Sequence, residues 1–183
     1  MATHYGAIHR GECLNPIGVK SLTNPLAFIA EGHLRTRQIC ALMDVVASKE
    51  NPQQADLERI LTYLNTEFAA HLADEDSDLF PLLRLRCEPE DEIERLLDRL
   101  EQEHLKASEQ APRVRDILLQ CIGGLSGLSS DECEVLRAFS GNLRRHLVFE
   151  NAIVLPLAQA RLNEHDLDQL RQCLAARRTA GRT

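Results

Sequence analysis

The chain has 183 residues, a length that suits one domain with a well-formed core. Its formal net charge of −7 gives no basic footprint for nucleic acid. No apolar run is long enough for a signal peptide or a membrane span, so we expect a cytoplasmic protein without membrane or nucleic-acid partners. The abundance of Leu, Ala, Glu and Arg predicts an all-α fold.

The first 23 residues contain three glycines and a proline without a sustained hydrophobic period. We therefore predict an irregular N-terminal arm over residues 1–23. His4 and His9 lie in this arm, outside any periodic segment, and we leave them out of the candidate site.

The first helix is predicted to begin at Asn24-Pro25, a good N-cap followed by proline, and to run to about Ser48. Its inward stripe contains a single histidine, His33, among apolar residues. A lone histidine in such a position is usually a structural core residue.

The second helix is predicted to begin at Asn51-Pro52 and to run to about Asp76. Apolar residues at steps of three or four place both His71 and Glu75 on its core side. An ionised glutamate buried without a partner is costly, so Glu75 indicates a bound cation. Pro81 predicts that this helix ends or kinks near Phe80.

The third helix is predicted to start near Pro89, where acidic residues favour a helix N-terminus. His104 is the one histidine on its apolar stripe, and Pro112 predicts a kink or a split two turns later. The glycine-rich turn at residues 123–127 ends the helix.

The fourth helix is predicted to open with a capping box formed by Ser129 and Glu132. Its core stripe includes His146 and Glu150, and Pro156 is the predicted terminator.

A short fifth helix is predicted from Asn163 to about Ala176, with His165 exposed and residues 177–183 frayed. The predicted organisation is therefore an antiparallel four-helix bundle over residues 24–160, preceded by the arm and followed by a C-terminal helix and tail over 161–183.

Six scattered cysteines without a C-x-x-C pair are interpreted as reduced, mostly buried thiols, with an unidentified redox thiol as the alternative. They are Cys13, Cys40, Cys87, Cys121, Cys133 and Cys173.

One pattern occurs twice in the chain. His71 and His146 are each followed by glutamate at i+4 and proline at i+10. Positions i and i+4 share a helix face, so each copy directs an imidazole and a carboxylate into the same space. A helix with a lone histidine precedes each copy, and this internal duplication points to one shared metal site. Its predicted ligands are His33, His71, Glu75, His104, His146 and Glu150.

Four imidazoles and two carboxylates exceed what one tetrahedral zinc ion requires. Two ions sharing bridging carboxylates use the whole set, with His33 and His71 on one ion and His104 and His146 on the other. Nitrogen and oxygen ligands suit iron or manganese, and we favour two iron ions with an oxo or hydroxo bridge over manganese or zinc. A position left open on each ion implies a small ligand or chemistry.

The ordered ligand series, with Leu79-Phe80-Pro81 after one copy and Leu155-Pro156 after the other, resembles the hemerythrin-like (HHE cation-binding) domain family over about residues 24–157. The resemblance implies a bundle with a non-haem di-iron centre, bridged by the two glutamates, that binds or reacts with O2, NO or peroxide.

The chain differs from the oxygen-carrying hemerythrins in two places. Ser108 stands where they have a second histidine, and Glu150 at i+4 replaces a bridging aspartate at i+5. The four-histidine, two-glutamate set is similar to bacterial di-iron proteins linked to nitric oxide stress and repair of iron centres. Many of those repair proteins have a Cys-containing N-terminal domain, whereas here Cys13 stands alone in its segment.

Our leading hypothesis is a protein that binds or senses O2 or NO in oxygen, nitrosative or oxidative stress. The alternative is a di-iron enzyme that acts on NO or peroxide or repairs iron centres. Iron storage is weaker because only Glu101-Gln102-Glu103-His104 has the Glu-x-x-His form of ferritin-like sites. A metal-dependent interaction module is a further alternative. Glu103 is interpreted as an exposed helix residue, with a group that supports a ligand or handles a proton as the alternative.

Overall fold

The computed structural model describes residues 22–49, 51–124 and 127–180. Within these ranges the chain forms α-helices and no strand, as the composition predicts. Most of the predicted N-terminal arm lies outside the described residues. The α-helices are α1 (Pro25–Val46), α2 (Gln54–Thr66), α3 (Phe68–Asp74), α4 (Phe80–Arg86), α5 (Glu94–Ile122), α6 (Ser130–Phe149), α7 (Leu155–Arg161) and α8 (Glu164–Ala180).

Two π-helices, Glu75–Leu79 and Glu150–Val154, join α3 to α4 and α6 to α7. The prediction that Pro156 ends its helix is therefore wrong, and of the two outcomes predicted at Pro81, an end or a kink, the end is wrong, because helical structure continues for several residues beyond each proline. The reason is that each proline lies in the first turn of the α-helix that follows the π-helix. Proline is tolerated in the first turn because an N–H group there has no acceptor within its own α-helix, so the absence of the proline N–H costs no hydrogen bond of that helix.

The third predicted helix also differs in detail. Pro112 does not split it, since α5 is continuous from Glu94 to Ile122. Its start is later than predicted, because Pro89–Asp91 form a separate 3-10 helix. Glu92 follows with a left-handed backbone (φ 50°), which separates this short helix from α5.

The predicted N-caps of three helices are confirmed by hydrogen bonds. The Asn24 side chain accepts from the backbone N–H of Ala27 at 3.0 Å, and Ser129 and Glu132 form the predicted capping box of α6. Asn163 caps α8 by accepting from the backbone N–H of Asp166 at 3.0 Å.

Helix α8 is longer than predicted and reaches Ala180, so residues 177–180 are not frayed. Arg177 and Arg178 near its end both form ion pairs with Asp74 of α3, which is 1% exposed. The guanidinium of Arg178 also lies 5.0 Å from the ring centroid of Phe28 on α1. These contacts attach the end of α8 to the bundle.

The long helices pack in a ring. Helix α1 packs against α2 and α6, and α5 packs against the same two helices. Helix α8 lies against α1, α3 and the π-helix that begins at Glu75. The result is the all-α helical bundle predicted from the sequence.

Two buried hydrophobic clusters fill this bundle, and α1 and α5 contribute buried residues to both of them. On α1, His33 falls between Ile29 of one cluster and Ile39 of the other. On α5, His104 falls between Leu100 and Ala107, which also belong to different clusters. Chain position thus places the histidines in a polar layer between two apolar layers.

Within the described ranges, no helix is both long enough and apolar enough to cross a membrane. The five described cysteines are free thiols, but only Cys40 is buried and the others are half-buried. The prediction of mostly buried thiols is therefore wrong for the described cysteines, and Cys13 lies outside the described residues. The reason is that the half-buried thiols lie at the margins of the two clusters or outside them.

Candidate metal centre

The six predicted ligands come from four helical segments that face the middle of the bundle. His33 lies on α1 and His104 on α5, and both are 1% exposed. The i+4 spacing places each glutamate one turn after its histidine, at the first residue of a π-helix. Both glutamates are buried, at 1% exposure for Glu75 and 0% for Glu150.

The structure brings these side chains together as two groups of three that could each hold a metal ion. One group is His33, His71 and Glu75, and the other is His104, His146 and Glu150. Within each group, the candidate ligand atoms lie within 4.8 Å of one another. The histidines are paired in these groups as the ligand count suggested, His33 with His71 and His104 with His146.

The two groups have nearly the same internal geometry. The rings of His33 and His71 have centroids 5.2 Å apart with an interplanar angle of 71°. The corresponding rings of His104 and His146 are 5.0 Å apart at 76°. The duplication in the sequence therefore appears as a repeated arrangement in space.

Each glutamate lies close to histidines of both groups. The carboxylate of Glu75 is 2.7 Å from His33 Nε2 through Oε1, and its Oε2 is 3.7 Å from His71 Nε2 and 3.9 Å from His104 Nε2. The carboxylate of Glu150 is 3.0 Å from His104 Nε2 and 3.6 Å from His33 Nε2. Both carboxylates therefore lie between the two candidate metal positions.

Unpartnered buried atoms test whether this set suits a cation. Among the described residues, several buried atoms of this set have no hydrogen-bond partner. They are Nε2 of His71, both ring nitrogens of His146, and Oε2 of Glu75 and of Glu150. Leaving such atoms unpaired in a protein core costs free energy, so native structures rarely do so. The unpaired atoms are nitrogen and oxygen atoms of the kind that bind metal ions, and each group of three places one ligand atom per residue within 4.8 Å of the others, which fits a metal ion bound by these residues.

The electrostatics of the groups are consistent with this fit. Burial and the neighbouring Glu150 raise the pKa of Glu75, since two carboxylates in one dry space disfavour each other's charge. Burial and the nearby His33 lower the pKa of His71 well below its ordinary value. Burial also lowers the pKa of His146. His71 and His146 are therefore neutral imidazoles at pH 7, the form that binds a metal.

Two contacts around the candidate ligands escaped the sequence analysis. Asp76 Oδ1 lies 2.6 Å from His104 Nδ1, and Gly32 packs beside the ring of His71. Asp76 also helps to raise the pKa of His104 to about 10: burial lowers this pKa, but hydrogen bonds to Asp76 and Glu150 outweigh that effect. The available signal for Asp76 was its position directly after Glu75.

The carboxylate of Glu103 accepts a hydrogen bond from Arg99 at 2.8 Å, and its charge acts on His146. It is partly exposed rather than fully exposed, at 28%. Ser108 is exposed on α5 and is not in either group.

A helical bundle with paired histidine and glutamate groups in its core defines a class of metal-binding domain. The family model for the hemerythrin HHE cation-binding domain matches residues 24–158. The chain therefore belongs to this family. Comparisons with curated proteins and with solved structures gave no significant match.

Proposed function

We propose that the six buried side chains hold two iron ions bridged by Glu75 and Glu150, and that the protein uses this centre to bind or sense O2 or NO. The observation that carries the proposal is the position of the two glutamates. Each approaches histidines of both groups to within 4.0 Å, as a bridging carboxylate must.

The donor set supports iron over zinc. The two groups offer only imidazole nitrogens and carboxylate oxygens, and no cysteine belongs to either group. Structural zinc sites use four ligands around a single ion, whereas two histidines and shared carboxylates leave room on each ion for a small ligand. When bound, two irons would supply one-electron redox chemistry and coordination positions for a diatomic gas.

The protein's own residues keep this site dry and fixed. The six residues lie between two hydrophobic clusters and are at most 6% exposed. Phe80 stacks on the ring of His104 with centroids 5.8 Å apart. Such surroundings admit small apolar molecules and disfavour charged ones, which suits O2 or NO as the ligand and a role in oxygen or nitrosative stress.

The test is the metal content of anaerobically purified protein, followed by its visible spectrum before and after addition of O2 and then NO. Two irons per chain and new charge-transfer bands are expected, with reversal when the gas is removed. Consumption of NO or peroxide over many cycles would instead establish an enzyme. One zinc ion, or no metal, with a silent spectrum would contradict the proposal.

A further inference from the structure

The residue directly after each bridging glutamate lies beside the lone histidine of the other half. Asp76 follows Glu75, and its Oδ1 lies 2.6 Å from His104 Nδ1. Asn151 follows Glu150, and its side-chain amide lies close enough to His33 to raise the pKa of that histidine. The internal duplication thus extends to a second pair of positions, and at these positions the residue types differ.

The two residues differ in what they can do for a histidine. An ionised carboxylate only accepts hydrogen bonds, so Asp76 makes His104 carry its proton on Nδ1. Nε2, which lies 3.0 Å from Glu150 Oε1, is then the ring nitrogen left for a metal ion, and it would give up its hydrogen bond to Glu150 when the ion binds. Because Asp76 fixes both the tautomer and the ring orientation, it prepares His104 to bind a metal.

Asn151 gives His33 less support. It is neutral, and its Nδ2 donates a 2.6 Å hydrogen bond to the backbone oxygen of Leu147. Its side chain lies close enough to His33 to raise the pKa of that histidine, but among the described residues His33 Nδ1 has no hydrogen-bond partner of good geometry. The two groups are alike in their six candidate ligands but unequal in the contacts that orient them.

We propose that Asp76 is a positioning residue that makes the two metal positions unequal, so that the position formed by His104, His146 and Glu150 binds its ion more tightly than the position formed by His33, His71 and Glu75. This inference rests on the proposed function, since it concerns the same two-metal centre. Its physical basis is that a carboxylate that accepts a hydrogen bond from one ring nitrogen of an imidazole raises the basicity of the other ring nitrogen, which binds the metal. In His104 these nitrogens are Nδ1 and Nε2, respectively.

The test is an anaerobic titration of the metal-free full-length chain with Fe(II) against a competing chelator, with Mössbauer spectra of the iron-57 form. Wild type should bind two ions in two resolved steps. Asp76→Ala should lower the affinity of the tighter step, which fills the position formed by His104, His146 and Glu150, about 10- to 100-fold. The affinity of the weaker step should not change. Asp76→Asn keeps an acceptor oxygen without the charge, so its loss of affinity for Fe(II) in the tighter step should be smaller.

The reciprocal variant, Asn151→Asp, should strengthen the weak step and bring the two steps together. Glu103→Gln is the matched control, because it removes a nearby negative charge that bonds Arg99 and not a histidine. Because its charge acts on His146 only through space, its titration should shift much less than that of Asp76→Ala. The side chain of Asp76 is 33% exposed, so its variants should fold, which thermal unfolding in chelator checks.

The outcomes separate this inference from the proposed function. Wild-type protein that takes up no iron would overturn both. Wild type that binds two irons, with Asp76→Ala titrating like wild type or weakened equally in both steps, would overturn the inequality alone. An effect of Glu103→Gln as large as that of Asp76→Ala would also overturn it, since charge rather than the hydrogen bond would then be the cause.

Discussion

At the scale of single residues, Gly32 has a role that its position in a helix conceals. A Cβ at this position would lie 3.3 Å from Nδ1 and 3.5 Å from Cε1 of His71. The first distance is tighter than ordinary contact, so the imidazole would have to move by a few tenths of an ångström. Interior glycine costs a helix about 0.5–1 kcal/mol relative to alanine, yet here it gives the His71 ring its space.

We therefore predict opposite effects of Gly32→Ala on stability and on metal binding. The metal-free variant should be as stable as wild type or more stable, because alanine favours the helix. Its affinity for metal should fall, because His71 is displaced. Chemical denaturation in chelator and metal competition measure the two quantities.

Gly141→Ala provides the matched control, since a Cβ at Gly141 of α6 meets nothing within 4 Å. It should stabilise the protein by about 0.5–1 kcal/mol and leave metal affinity unchanged. If both glycine variants bound metal as wild type does, the spatial role of Gly32 would be refuted.

At the scale of elements, α8 is attached to the bundle at both of its ends. Near its C-terminus, Arg178 Nη1 donates to Asp74 Oδ1 at 2.8 Å, and Arg177 donates to Asp78 at 2.7 Å as well as to Asp74. The Asp74 carboxylate is 1% exposed, and such a buried anion depends on its cationic partners. The C-terminal arginines thus act as structural residues.

Replacing both Arg177 and Arg178 with glutamine should lower the free energy of unfolding by about 1–3 kcal/mol, because Asp74 is left buried without a cation. Urea unfolding in the presence of chelator measures this loss. Arg171→Gln on the same helix is the control, because its ion pair with Asp168 is exposed and such pairs contribute little. Equal stability of the double variant and wild type would show that α8 does not need these ion pairs.

The first turn of α8 is attached through Asp166. Arg86, the last residue of α4, donates two hydrogen bonds to its carboxylate, at 2.8 and 2.9 Å. The bond from Arg86 is the main cause that lowers the pKa of Asp166 below its ordinary value. A lowered pKa in the folded state means that the pair stabilises the protein above the unfolded pKa, about 4, and that this contribution is lost as pH falls through the folded pKa.

Arg86→Gln should therefore be less stable than wild type at pH 7, with a difference that shrinks as the pH falls below about 4. Urea unfolding at several pH values gives both curves. A difference that stayed constant down to the lowest pH at which the protein folds would mean that the Arg86 effect is packing and not charge.

At the scale of the whole molecule, the two groups of buried histidines and glutamates could hold metal ions between the two hydrophobic clusters. A metal that binds the folded state and not the unfolded state stabilises the protein by about 2.7 kcal/mol when the free metal concentration is 100 times the dissociation constant. We expect chelation to lower the melting temperature of the metal-loaded protein, and Glu75→Ala or Glu150→Ala to lose metal and this stabilisation together. Full metal occupancy in either variant would contradict the assignment of bridging glutamates.

Much of this architecture could be predicted from the sequence because it follows from helical periodicity. The stripe through His104 and the pairing of each histidine with a glutamate at i+4 both depend only on residues one or two turns apart. The two groups of three candidate ligands could be anticipated for the same reason, together with the duplication. The confirmed caps at Asn24 and Ser129 are equally local.

What could not be predicted depends on backbone geometry or on distant contacts. The π-helices after each histidine carry no residue signature that distinguishes them from an α-helix that meets proline. The contact between Asp76 and His104 joins residues 28 positions apart, and that between Arg178 and Asp74 joins residues 104 apart. Such pairs depend on how the helices pack against one another, and the hydrophobic periodicity of the sequence does not determine that packing.

The two π-helices also bear on how quickly a bound ion exchanges with solvent. With every candidate ligand at most 6% exposed, an ion in the closed bundle has no direct route out. Hydrogen bonds of i→i+5 type are rarer and less favourable than those of an α-helix, so these five-residue turns are the expected sites of local opening. Because each turn begins at a glutamate, opening it withdraws a carboxylate from the centre. We expect amide hydrogen exchange at residues 75–80 and 150–155 to outpace that of the middle of α5, and the rate of metal release to follow that exchange rather than global unfolding.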